Sequence, residues 1–169
     1  ARAAFAAALR TLPSEAIAER ELALAESLEL ATVASDWSAV TEFAESLLKV
    51  SKDPTRLAEA RLRLGIAAAR TKRYDDAVAA LDRFLADAPN SPSAAHARLE
   101  RAEALLALKR TDEAIRDLRG VVATGGQADA ALRNAAKARL ANVLLQGGAA
   151  DEAATLLADA DGDALIDLA

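Results

Sequence analysis

Four aspartates near the end of the chain, Asp159, Asp161, Asp163 and Asp167, hold the first, third, fifth and ninth places of the stretch "DADGDALID". A calcium loop draws ligands from those places, because a hard divalent cation is held by several oxygens at once. The same loop needs glycine at its sixth place for a sharp turn. Here Gly162 is fourth, Ala164 is sixth, and a twelfth-place ligand would lie past Ala169. The competing reading has Gly162 closing one helix and Asp163 capping the next. Three acidic pairs, Asp75/Asp76, Asp112/Glu113 and Asp151/Glu152, offer carboxylates for acid–base work. Each opens a helix, where the positive end of the helix dipole favours negative charge without any catalytic role.

His96 is the single histidine and the chain has no cysteine. Neither a nucleophilic triad nor a zinc site can be assembled around it. It reads as a partly exposed residue in the first turn of a helix. Gly125-Gly126 and Gly147-Gly148 lack the spacing of a phosphate-cradling loop and read as turns. These residues imply no catalysis, no cofactor and no metal.

The elements that position them are helices. Of the 169 residues, 53% are hydrophobic, much of that alanine, 28% are charged and 3% aromatic. Such Ala and Leu richness favours helix, and no sustained alternation of period two argues for strands. Few large side chains means that the core comes from many small contacts between close helices. The net charge of −5 argues against nucleic-acid binding, which rests on a dense basic surface. No stretch is apolar over the ~18 residues that a membrane span needs. The chain contains no Met and is expected to be a mature or excised piece of a longer protein. The opening "ARAAFAAALR" has Arg2 before an apolar run of only seven residues that ends at Arg10, which is a poor signal peptide.

One phrase returns along the chain. "YDDAVAALDRF", "TDEAIRDLRG" and "DEAATLLADA" align on Ala77, Ala114 and Ala153, spaced 37 and 39; stepping back 37 reaches Val40 and 39 more reaches Ala1. Each unit reads as an apolar-striped helix, a tight polar turn, a second helix and a breaker. The turns are 71–74, 109–112 and 146–151, and the breakers are 11–14, 52–55, 90–93 and 124–127. Asp53 and Ser91 are expected to cap helices that begin at Pro54 and Pro92. Thr111 is a candidate cap, and Gly147 and Gly148 allow the positive φ that ends a helix. In the second helix of the best unit, Tyr74, Ala77, Val78, Leu81, Phe84, Leu85 and Ala88 form one apolar face. A lone helix pair cannot bury both faces, so it must stack on neighbours.

The chain resembles the tetratricopeptide repeat family, best from Ala58 to Pro89. Leu64-Gly65 matches the family's Leu-Gly pair, Tyr74 its aromatic after the turn, Ala77 its small residue and Pro89 its closing proline. Trp37 takes the place of Tyr74 one unit earlier, and Phe5, Ala8, Leu9 and Pro13 fit the end of a second helix. The units after position 92 carry Arg101-Ala102 and Leu140-Ala141 in place of Leu-Gly, and the spacing exceeds the family's usual 34. Stretched units of this kind look like repeats of bacterial cell-envelope proteins, which points weakly to the periplasm or envelope.

The resemblance implies an all-α solenoid of stacked antiparallel helix pairs, right-handed in its superhelix. Its units are a truncated second helix (1–13), a degenerate repeat (14–54), the best-matching repeat (55–91), two further repeats (92–128 and 129–160) and the start of a further or capping helix (161–169). More repeats or a capping helix are expected in the parent protein.

It also implies a non-catalytic protein–protein interaction scaffold or adaptor, whose first helices line a concave groove for a peptide or helix of a partner. Carried over by position, the groove candidates are Glu29 and Val33; Leu62, Arg63, Ile66 and Arg70; Leu99, Glu100, Glu103 and Leu106; and Arg139, Asn142 and Leu145. Arg63, Ile66 and Arg70 share one helix face. The mixed surface suits an amphipathic helix or an extended peptide with acidic groups. The Lys and Asn clamp of the family's chaperone-tail binders is missing, since only Asn142 is an Asn. In the alternative, Leu62, Leu99 and Leu106 pack inside the solenoid and the charges are solvated. Arg61, Arg98 and Lys137 occupy a column where the family often has Trp, and their stems could cover apolar surface. Two other functions stay open: self-assembly of chains by end-to-end stacking of repeats into homo-oligomers, and a docking arm of a larger enzyme or membrane protein.

Overall fold

The computed structural model describes residues 16–123 and 130–166, with side chains as far as Ala158. The opening segment read as a truncated second helix and the breaker at 124–127 lie outside the described residues. So do the side chains of Asp159, Asp161, Asp163 and Asp167.

Eight helices are described: α1 Ile17–Val33, α2 Trp37–Val50, α3 Pro54–Arg70, α4 Tyr74–Asp87, α5 Ala94–Ala107, α6 Thr111–Ala123, α7 Ala130–Gln146 and α8 Ala150–Ile166. There is no strand among the described residues. Two compact units, Ala1–Pro89 and Asn90–Ala169, divide the chain. In the first, α1 packs on α2, α2 on α3 and α3 on α4, and α1 also touches α3. The second repeats this with α5 to α8, α5 touching α7. Within each unit every helix meets its chain neighbour, and the first helices of the two pairs meet each other. This is the layering of an all-α solenoid.

The repeated column is the centre of that packing. Val40, Ala77, Ala114 and Ala153 are at most 1% exposed. Along α4, Ala77, Val78, Leu81 and Phe84 are buried, so the apolar stripe read from sequence is the face turned inward. In the first unit α1 adds Leu24, Leu28 and Ala31, and α2 adds Phe43, Ala44 and Leu47. Fully burying one such Leu or Phe contributes about 1.5–3 kcal/mol.

Among the described residues one turn is built four times. Ser35, Lys72 and Lys109 have φ of 54°, 61° and 61°, and Gly148 has 83°. The amide of each donates to the carbonyl three residues back, and the next amide reaches five residues back. Lys72 N donates to Ala69 O and Arg73 N to Ala68 O, at 3.0 and 2.8 Å. This is the Schellman arrangement, which satisfies carbonyls orphaned at a helix end. Its last residue is already the N-cap position of the next helix, so three residues reverse the chain. Three of the four left-handed positions carry a side chain, at a cost of roughly 1–2 kcal/mol each. Lys109→Gly is therefore expected to stabilise the chain by about 0.5–1 kcal/mol, and Gly148→Ala to destabilise it by about 1 kcal/mol or more. Urea unfolding of the two variants measures both.

The helix starts partly follow the sequence reading. Asp53 caps α3 by accepting from Thr55 N at 2.8 Å, with Pro54 at the first helical position. Ser51, buried at the end of α2, accepts from Asp53 N at 3.1 Å and donates to Glu21 of α1, tying three helices together. Ser91 Oγ likewise accepts from Ser93 N at 3.2 Å, but Pro92, in contrast to Pro54, is not the first helical residue. Ser91 O accepts from Ala94 N, forming a turn that delays the helix to Ala94. Thr111 lies inside α6 as its first residue, and Arg110 precedes it. Gly148 alone of the glycine pair adopts positive φ. Helix α8 runs through Gly162 to Ile166, so Gly162 does not close it.

Candidate functional site

The groove candidates sit on α1, α3, α5 and α7, the first helices of the pairs. In the first unit, Arg63 Nη2 donates to Glu29 Oε2 across the α1–α3 contact at 3.2 Å, and its Nε donates to Glu59 Oε1 at 2.5 Å. The three line a small cleft of about 60 Å³ together with Arg56 and Leu28. In the second unit, Arg139 of α7 donates to Glu103 of α5 at 2.5 Å. The sequence reading placed these charges on one surface without seeing that they bind each other. The spacings of 34 and 36 residues are the hidden signal, because one repeat further on is one helix across. Exposed pairs of this kind contribute little stability, on the order of 0–1 kcal/mol, but they fix the register between neighbouring first helices.

The apolar candidates divide. Leu62 is 3% exposed and packs within the core. Ile66, Leu99 and Leu106 are half-buried. Val33 is 77% exposed and Leu145 is 50% exposed, both in the last turn of their helices. Arg70 and Asn142 are exposed beside them in sequence register. Glu100 is buried and stands 3.5 Å from His96 Nε2, one turn back on α5. Helix α1 adds two exposed leucines, Leu22 and Leu30.

The other candidates resolve into structure. Asp75, Asp76, Asp112, Glu113, Asp151 and Glu152 all occupy first turns. Arg110, just before α6, donates to Glu113 at 2.6 and 2.8 Å. That bond is the chief reason the Glu113 carboxyl lies below its ordinary value of 4.5. A depressed carboxylate adds stability that is present above its unfolded pKa and lost as pH falls through the folded one. An NMR titration of Glu113 should show the midpoint rising toward 4.5 in Arg110→Ala. Stems in the basic column do cover packed surface: Lys137 is buried, and the Cδ of Arg98 lies over Gly120, 3.4 Å from where a Cβ would stand. No group of three metal-ligating side chains forms among the described residues, and no helix there is long and apolar enough to cross a membrane.

The motif residues have physical reasons. A Cβ on Gly65 would come within 2.6 Å of Leu81 Cγ, so α3 and α4 can touch only because that position is bare. Ala102 and Ala141 fill the same column with the next smallest side chain and are buried. Arg101 replaces Leu64 in the later unit because Asp117 replaces Ala80. Arg101 clasps the buried Asp117 through two bonds of 2.7 and 2.6 Å. The tetratricopeptide repeat model matches residues 39–92 and 62–130, more than half of the chain.

The chain belongs to the tetratricopeptide repeat family. Repeats of this family generally serve as protein-interaction modules. Solved structures agree on the fold. A putative kinesin light chain of Podosopora anserina with nearly identical TPR-like repeats is 23% identical, covering 94% of this chain and 81% of that one, with a TM-score of 0.70. A second structure of that protein, carrying a substitution, is also 23% identical, covering 94% of this chain and 80% of that one, with a TM-score of 0.71. No curated protein matches significantly. The tetratricopeptide repeat identity accounts for Leu64, Gly65, Tyr74 and Ala77 as packing residues.

Proposed function

We propose that this tetratricopeptide repeat chain is a non-catalytic scaffold that holds a peptide or helix of a partner protein against the first helices of its pairs. The observation that carries this reading is Val33 at 77% exposure and Leu145 at 50%, at the groove positions of α1 and α7. Large aliphatic side chains left in water at positions where the family binds peptides are available anchors. Around them stand preset charges: Glu29–Arg63–Glu59 in one unit and Glu103–Arg139 in the other. Guanidinium groups that are already oriented can take a partner's carboxylate with little ordering cost. Leu62 serves the core rather than the groove.

Selection of binders from a displayed random peptide library, followed by calorimetric titration, tests this reading. Selected peptides should lose roughly tenfold in affinity, about 1.4 kcal/mol, with Val33→Asp or Leu145→Asp. Both positions are exposed, so the fold should survive the change. Peptides that bind both variants as tightly as the parent chain would defeat the proposal.

A further inference from the structure

A second surface of the first unit lies on α2, α4 and the side of α3 that carries Arg61 and Leu64. Between α2 and α4 a cleft of about 320 Å³ opens over α3. Leu48 of α2, Leu64 of α3 and Ala80 of α4 contribute its apolar part. Leu48 and Leu64 are only half-buried, although both belong to the partly buried margin of the hydrophobic core. Its rim carries three guanidinium groups, Arg61, Arg73 and Arg83.

The three arginines are not equivalent. Arg61 donates to Asp87 at 2.5 Å. Arg73 donates to Thr41 of α2 at 3.2 Å and to Asp76 at 3.5 Å. Both are thereby held at the rim, and each retains further N–H donors, since a guanidinium carries five. Arg83 is exposed and has no hydrogen-bond or ion-pair partner among the described residues. Two carboxylates line the cleft as well: Glu45 on the opposite wall, and Asp76 of α4, which Arg73 already engages. Arginine thus outnumbers carboxylate in the cleft lining, three to two, on a chain of net charge −5, and Arg83 stands beside apolar surface left partly in water. In the pair α5–α6 the matching positions are closed instead: Arg101 and Asp117 stand where Leu64 and Ala80 do, and they pair with each other.

We propose that the α2–α4 cleft is a docking site, separate from the first-helix faces, for an acidic peptide segment that presents a large apolar side chain between carboxylates. The apolar side chain covers Leu48, Leu64 and Ala80. One carboxylate pairs with Arg83, and a second bonds the remaining donors of Arg61 and Arg73. Complementary charge of this kind sets specificity and encounter rate, and the apolar side chain supplies the burial that holds the complex.

The test is an amide chemical-shift titration of the 169-residue chain with the peptide acetyl-Asp-Glu-Leu-Phe-Asp-Asp-amide. Two control peptides accompany it, one with Lys at every acidic position and one with Ala for Leu and Phe. The proposal expects a dissociation constant below about 1 mM, with shifts concentrated at Leu48, Leu64, Ala80 and Arg83. It expects both control peptides, and the Arg83→Glu variant, to bind roughly tenfold more weakly or not at all. Arg83 is exposed, so unchanged helix content by circular dichroism is expected in the variant. Absence of shifts at millimolar peptide, shifts confined to α1 or to the second unit, or equal binding of either control would overturn it. Failure at this cleft leaves the first-helix reading standing, because that reading rests on other residues, and shifts confined to α1 or to the second unit would count toward it.

Discussion

Replacing Arg101 by alanine is expected to destabilise the second unit by about 3–5 kcal/mol, among the largest losses of any single substitution in the chain. Asp117 is 6% exposed and receives two bonds from Arg101. Without the guanidinium its carboxylate stays buried without this partner, and breaking a buried pair costs far more than the pair contributes. The repeat supplies its own control, because the preceding unit has Leu64 and Ala80 in the same two places. The double variant Arg101→Leu with Asp117→Ala copies that arrangement and is expected to be neutral, or stabilising by up to about 4 kcal/mol. Thermal unfolding of the single and double variants decides the matter. A single variant as stable as the parent chain would mean that water, rather than Arg101, satisfies Asp117.

Truncating Leu81 to alanine is expected to cost about 2–5 kcal/mol, since the residue is fully buried and leaves a cavity. The instructive result is its coupling to Gly65. A Cβ there would meet Leu81 Cγ at 2.6 Å, with Ala77 O at 3.4 Å behind it. In the parent chain Gly65→Ala gains about 1 kcal/mol of helix propensity, but overpacking costs about 1–3 kcal/mol, so the net effect is a loss or nearly neutral. In the Leu81→Ala background the clash is gone and the same substitution should stabilise by up to about 1 kcal/mol. A reversal of sign between backgrounds is the mark of direct contact, whereas additive effects would show that the helices can separate at little cost.

Much of this architecture was legible in the residues. The column of Val40, Ala77, Ala114 and Ala153 marked the buried seam because period and residue size are both properties of the sequence. The turns at 71–74, 109–112 and 146–151 were legible as short polar runs between apolar-striped helices, whereas the equivalent turn at Ser35 carries no such mark. What could not be read was any feature set by a partner on a neighbouring helix. Arg101 stood out only as a departure from the family's Leu-Gly pair, and its pairing with Asp117 follows from the stacking of α5 on α6. Leu62 and Val33 were both groove aliphatics, with packing inside the solenoid kept open as the alternative for Leu62. Their difference in exposure, 3% against 77%, comes from which neighbouring helix covers each. Ser91-Pro92 had the composition of a helix start, but a turn closed by Ala94 took its place.

The central claim is that the first helices of the pairs are the partner-binding elements, and methyl NMR tests it most directly. With Val, Leu and Ile methyl groups labelled and a library-selected peptide titrated in, the methyls of Val33, Ile66, Leu106 or Leu145 should shift. Those of Leu81, Leu118 and Val121, buried in second helices, should stay in place. Shifts confined to second-helix methyls, with Val33 and Leu145 unmoved, would contradict the account.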